Sequence, residues 1–160
     1  MLLEAEGTGY WDPLLAFVQE RLLDQGMISG PDLALFFHTT SVDKAAKHIF
    51  SFYSNYHSER FNSGKLILRL RRAPDDDELE ALNEEFADIV VKGEIERAEP
   101  TQAEIDDEDA LDMERITFYF DRRQFGRLRQ LVDRLNDLAS LPEPTEIATA
   151  MTEEQAERPW

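Results

Sequence analysis

Apolar residues recur along this chain with two periods, and the switches between them mark out its elements. Met1–Ala5 is a short apolar run that predicts a strand, broken by Glu6-Gly7-Thr8-Gly9. From Tyr10 the spacing becomes helical: Trp11, Leu14, Leu15, Val18 and Leu22 share a face, and Pro13 sits in the first turn, where its missing N–H is tolerated. Gly26 stands where a left-handed C-terminal cap is expected. Ser29-Gly30-Pro31 starts a turn, and Leu35–His38 predicts a short strand. Thr40 and Asp43 form a capping pair for a helix that carries Val42, Ala45, Ala46, Ile49, Phe52, Tyr53 and Tyr56 on one face.

A second unit begins after Asn62-Ser63-Gly64. Between Lys65 and Arg72, Leu66, Leu68 and Leu70 alternate with Ile67, Arg69 and Arg71, the period-two pattern of a half-buried strand. Asp75, Asp76 and Asp77 suit the positive end of a helix, and Leu79, Leu82, Phe86, Ile89 and Val90 supply its buried stripe. Gly93–Glu99 predicts a further strand. Arg115–Phe120 predicts another, with Ile116, Phe118 and Phe120 on one side. Asp121 is the expected N-cap of a last amphipathic helix through Phe125, Leu128, Leu131, Val132, Leu135 and Leu138. Pro142-Glu-Pro144 then opens a polar tail to Trp160, with a composition expected to stay disordered.

The order β-α-β-α followed by β-α-β-β-α predicts a mixed α/β (α+β) chain. Residues 1–49 form a terminal strand-helix-strand-helix piece of a Rossmann-like core, too small to close a doubly wound sheet by itself. Residues 50–141 form an appended α+β unit, ferredoxin-like but short of one strand, and 142–160 form the tail.

Charge changes the picture. The chain carries 34 acidic and 17 basic residues, a net charge of −17, which argues against a nucleic-acid partner because phosphates require a positive surface. Seven carboxylates and no basic side chain lie between Thr101 and Glu114, a run expected to be a solvated loop. It lacks the spacing and central glycine of an EF-hand, so no metal site is expected there. There are no cysteines, hence no disulfides or thiolate chemistry, which fits a cytoplasmic location. No apolar run approaches the roughly 20 residues of a membrane helix, and Met1–Gly9 does not read as a signal peptide.

Several segments together resemble the Lonely Guy (LOG) family, whose members are often labelled lysine decarboxylases. They are Gly9-Tyr10-Trp11-Asp12-Pro13-Leu14-Leu15, Gly26-Met27-Ile28-Ser29, Thr40–Ala45, Phe52–Phe61, Leu82–Ile89 and Phe120–Leu128. In order and spacing they are similar to the closing segment of the family's Rossmann core and to the extension seen in its longer bacterial branch. The resemblance implies a nucleotide-binding protein, related to enzymes that split base from ribose 5′-monophosphate. The phosphate-binding and catalytic motif of that family, Pro-Gly-Gly-x-Gly-Thr-x-x-Glu, does not occur in this sequence. Gly7-Thr8-Gly9 is its only echo and reads as a turn. No catalytic residue carries over, no lysine motif supports a decarboxylase, and no cofactor is implied.

Two groups of polar residues are candidates for binding. Asn55, His57 and Arg60, ending a helix beside Arg69 and Arg71, form a candidate anion or nucleotide pocket. The plainer reading is that Tyr53 and Tyr56 pack inward while His57 and Arg60 meet the helix C-terminus. Arg122, Arg123, Arg127 and Arg129 make a basic band expected to pair with the 101–114 run, within the chain or across a dimer, rather than to bind a ligand. Two functions follow: the C-terminal portion of a LOG-like protein, non-catalytic alone and serving assembly or regulation, or a self-standing acidic interaction or dimerisation module. The partners implied are a second copy or a separate catalytic half, with a nucleotide as the possible ligand.

Overall fold

Lys65–Leu70 and Glu114–Phe120 pair antiparallel, placing Leu66 opposite Phe118 and Leu68 opposite Ile116 on one face of a sheet. The structure, a computed structural model, describes residues 1–139. In chain order the elements are β1 (Leu2–Leu3), α1 (Asp12–Phe17), β2 (His38–Thr39), α2 (Val42–Phe52), β3 (Tyr56–Asn62), β4 (Lys65–Leu70), α3 (Asp76–Glu85), β5 (Val90–Arg97), α4 (Gln102–Asp106), β6 (Glu114–Phe120) and α5 (Phe125–Asp137). The molecule is a mixed α/β structure with a four-stranded antiparallel sheet, order β3-β4-β6-β5, and a separate two-stranded parallel pair, β1-β2.

The core lies on one face of the larger sheet. Leu66, Leu68, Leu70, Ile116, Phe118, Phe120 and Ile95 meet Leu82 and Phe86 of α3 and Leu128, Leu131, Val132 and Leu135 of α5. Helix α3 starts where the three aspartates predict: Asp75 accepts the Glu78 amide at 2.9 Å, and Glu78 accepts the Asp75 amide at 2.9 Å. It carries the chain from β4 to β5 across β6, and β4 and β5, both antiparallel to β6, run parallel to each other. Gly93, expected to open the fifth strand, lies within it. Its φ of +72° accommodates the irregular pairing between Lys92 and Glu96, and the Asn83 amide binds the Ile95 backbone on this sheet edge.

The largest departure from the sequence pattern is at residues 53–62. Helical spacing continues to Tyr56, yet α2 ends at Phe52 and Tyr56–Asn62 is a strand. The reason lies 80 residues away. Asn136 of α5 accepts the amides of Asn55 (2.9 Å) and Tyr56 (2.8 Å) and donates to the Phe52 carbonyl (2.7 Å). The Asn55 carboxamide accepts the Arg72 amide at 2.8 Å and donates to the carbonyls of Leu135 (2.9 Å) and Arg72 (3.1 Å). Backbone groups that one more helical turn would pair internally are satisfied by two asparagines instead. The strand so released is the one the sequence reading lacked. Helix α2 passes position 50, the expected unit boundary, without a break, and the chain changes character at Tyr53–Asn55.

Residues 1–53 are more loosely organised. β1 and β2 are two residues each, and α1 runs on as a π-helix over Val18–Leu23, ended by Gly26 at φ +69° as expected. Where a strand is expected from Leu35, Gly30–Leu35 is a 3-10 helix initiated by a Ser29–Asp32 capping box, and only His38–Thr39 pairs. Ser41 rather than Thr40 caps α2, and Gln124 rather than Asp121 precedes α5. Asp121 instead turns back to accept the Arg123 amide at 3.1 Å. The 3-10 helix rests on the start of α5, where a β-carbon on Gly126 would overlap the Pro31 carbonyl and the Asp32 amide. The Gly126 amide donates to Asp32 at 3.3 Å across that contact. The expected tail, 142–160, lies outside the described residues.

Candidate functional site

The sheet face opposite the core is polar, and three adjacent strands align its arginines. Ser58 of β3 is opposite Arg69 of β4, and Arg69 is opposite Arg115 of β6, so the three share a row; Arg60 follows on β3. Over that row lies the acidic segment expected to be a solvated loop. It folds back as α4, opened by a capping box in which Thr101 accepts the Glu104 amide and Glu104 accepts the Thr101 amide at 3.0 Å. Glu104 is fully buried. Its Oε1 accepts Arg69 Nε at 2.8 Å and Arg115 Nε at 3.3 Å, and its Oε2 accepts the Thr101 hydroxyl at 2.9 Å. Burial pushes this carboxyl up, but the Thr101 amide, the Arg69 and Thr101 side chains and the Arg115 charge outweigh it, bringing it down to about 2.

The rim completes the charge balance. Asp109 accepts Arg69 at 2.7 Å and Arg60 at 3.4 Å, and Asp107 accepts Arg60 at 2.8 Å. Arg115 spends its other N–H groups on the carbonyls of Met113, Asp109 and Ala110. Three guanidiniums thus face three carboxylates of one segment. No buried side-chain polar atom among the described residues lacks a partner. Chemically the cluster is suited to holding anionic oxygens through planar, bidentate donors.

No protein-family model, curated protein or solved structure matches the chain.

The residues singled out from sequence are dispersed by the fold. Arg60 and Arg69 enter the cluster just described. His57, thrown outward by the bulge between Tyr56 and Ser58, is exposed and sits 2.8 Å from the Ser58 hydroxyl. Asn55 is buried in the clasp with Asn136. It also borders an open cleft of about 610 Å³ with Ser54, Arg71, Arg72, Glu78 and Leu138, just beyond the end of β4 that carries Arg69. Of the expected set, Asn55 and Arg71 thus share one cleft, Arg60 and Arg69 share the cluster around Asp109, and His57 stands apart from both.

The basic band is also reassigned. Arg127 pairs with Asp88 (2.8 Å) and Arg129 with Asp133 (2.9 Å). Arg123 binds Asp121, and Arg122 lies 4.2 Å from the Phe61 ring centre. None of these ion pairs involves the 101–114 segment, which draws on Arg60, Arg69 and Arg115 instead. Sequence reading missed Glu104 and Arg115. Thr101 followed three residues on by Glu104 is a capping-box signal in plain view, whereas the meeting of Arg115 with Arg69 depends on strand register.

A smaller polar cleft, about 440 Å³, lies further along the same face. Lys65 and Lys92 approach the Tyr119 ring at 5.3 and 5.7 Å from its centre, and Lys65 is paired with Glu96 at 2.5 Å. Among the described residues, no group of three His, Asp or Glu side chains is arranged to hold a metal ion. None of the helices among the described residues is long and apolar enough to cross a membrane.

Proposed function

We propose that this chain is the C-terminal portion of a LOG-like protein and serves assembly with a separate catalytic half rather than nucleotide hydrolysis of its own. One observation carries the reading: the apolar surface left exposed on residues 1–53. Helix α2 turns Val42, Ile49, Phe50 and Tyr53 outward, with Val42 70% and Tyr53 50% exposed. Exposed apolar clusters of a few hundred Å² on a soluble chain mark contact sites. Beside them β1 and β2 form a parallel pair joined through a helical crossover, and parallel strands are characteristically covered on both faces. The occupant that suits both features is the rest of a Rossmann-like α/β core.

The larger sheet supports the other half of the reading. Its split β4-α3-β5 crossover around β6 supports reading the unit as ferredoxin-like, with the outermost strand, β3, preceding the unit instead of ending it. The polar clusters offer donors for an anion but no glycine-rich cradle and no acid–base pair for breaking a glycosidic bond.

The test is co-expression of the tagged chain with a LOG-type catalytic core that carries the glycine-rich motif, together with assay of base release from purine and pyrimidine 5′-monophosphates. The chain alone is expected to release no base and to co-purify with the core. Replacing Ile49 and Phe50 with Asp should abolish the complex while leaving the circular-dichroism spectrum intact. A chain that forms its own salt-stable dimer through Ile49 and Phe50 and ignores the core would favour the self-standing dimerisation module. Base release abolished by a point change within residues 1–139 would overturn the non-catalytic assignment.

A further inference from the structure

The acidic segment over the arginine row is held in an unusual way. Of residues 101–114 only Glu104 is buried. The segment's large aliphatic side chains face water, Ile105 at 47% exposure and Leu111 at 44%. Its helix is five residues long, and two non-glycine residues behind it, Glu108 and Ala110, adopt left-handed φ values of +51° and +50°. Apolar burial therefore contributes little to its position, and charge pairing contributes most.

The arginines beneath it are also a costly choice for stability alone. Arg69 and Arg115 have 4% and 1% of their side-chain surface exposed, and buried ion triads are commonly no more stable than apolar residues of the same volume. An anion-recognition surface accounts for both facts. Three guanidiniums on three neighbouring strands, Arg69 beside Arg115 and Arg60 one step further along β3, span two strand spacings, roughly 10 Å, and present planar donor pairs on one face.

We propose that Arg60, Arg69 and Arg115 form a binding site for a chain of phosphoryl groups, and that the 101–114 segment is a built-in competitor whose Glu104, Asp107 and Asp109 occupy it until a ligand displaces them. The site is independent of the apolar face of α2 and of the assembly reading. Its ligand is a compound with two or three linked phosphates, free or carried on a nucleoside. The segment's three carboxylates match the charge of the three guanidiniums, so a ligand must offer denser charge to exchange with them. Weakening the plug should then strengthen binding, the reverse of what loss of an ordinary binding residue does.

The experiment is calorimetric titration of the full chain with inorganic tripolyphosphate, with ATP in parallel, and with amide exchange followed over residues 101–114. The exposed rim is changed first, as Asp107→Asn with Asp109→Asn, because those side chains are not needed to bury Glu104. The double variant is expected to bind tripolyphosphate about tenfold more tightly than the unaltered chain, since two competing carboxylate charges are removed. Adding Arg60→Gln, a half-exposed position, should reverse that gain by about tenfold or more. Exchange across residues 102–109 should speed up on saturation. Equal affinity for ATP assigns recognition to the phosphoryl chain alone, and tighter binding of ATP adds a contribution from the nucleoside. The proposal is overturned if neither protein binds, if the double variant binds no more tightly, if Arg60→Gln leaves the affinity unchanged, or if the segment's exchange is unaltered at saturation.

Discussion

Residues 1–53 and residues 56–138 carry equally amphipathic patterns but bury them to very different extents. From Tyr56 onward, apolar stripes on α3 and α5 meet the apolar face of one sheet, and every buried member of the main core cluster belongs to this stretch. Before it, helical stripes find little to pack against: among the described residues, thirteen of the eighteen exposed large apolar side chains lie in residues 1–53. Strand length separates the two. β3–β6 run six to eight residues and offer a surface wide enough for two helices, whereas β1 and β2 pair over two residues each. An apolar stripe stabilises a fold only in proportion to the surface it meets.

The sharpest way to break this comparison is to delete the same side chain in each region. Phe86→Ala, at a fully buried core position, is expected to cost about 3–5 kcal/mol in denaturant unfolding. Phe17→Ala, at a position 52% exposed, should cost less than about 0.5 kcal/mol in dilute solution. Comparable losses at the two sites would show that residues 1–53 bury a core of their own.

A smaller effect tests how the regions are joined. Gly126→Ala puts a methyl group into the Pro31 backbone, and overpacking of this kind costs about 1–3 kcal/mol. Its expected signature is faster amide exchange over residues 30–35 with the four-stranded sheet still protected. Uniform loss of protection in both regions would mean that they unfold as one unit.

A more local effect comes from acid. Because Glu104 is held down at about 2 in the folded chain, against 4.5 ordinarily, its charge stabilises the fold fully above pH 4.5. That contribution is lost as pH falls from there through about 2, and α4 should loosen in this window ahead of the apolar core. Glu104→Gln should remove the dependence. A segment whose amide exchange has the same acid response in both proteins would show that the Arg69–Glu104–Arg115 pairing does not hold it.

Much of the larger unit is legible in the sequence, because its elements announce themselves by period and by local chemistry. The Leu66, Leu68, Leu70 alternation, the Asp75–Asp77 run at a helix start and the Leu128–Leu135 stripe each describe a structure that one segment specifies unaided. The candidate site was only partly visible. Arg60 and Arg69 could be marked as anion donors from residue type. The carboxylates that meet them looked like solvated charge, because seven acids in fourteen residues carry no sign of which one turns inward. The basic band of Arg122, Arg123, Arg127 and Arg129 was matched with those acids on charge alone. Closer carboxylates at Asp88, Asp121 and Asp133 took three of its members instead.

By itself, then, the sequence determined where helices and strands with strong internal periods lie, which faces of them are apolar, and that the chain is strongly acidic. Tertiary structure alone decided that α2 stops at Phe52, that Tyr56–Asn62 becomes the outer strand, and that Glu104 is buried between Arg69 and Arg115. The difference is one of range. Periodicity and capping are satisfied by neighbours a few residues apart. A helix end closed by Asn136 needs a partner 84 residues away, and Arg69 meets Arg115, 46 residues on, only through the register of β4 and β6. Such groups declare their partners only once the chain has brought them together and water has been excluded from between them.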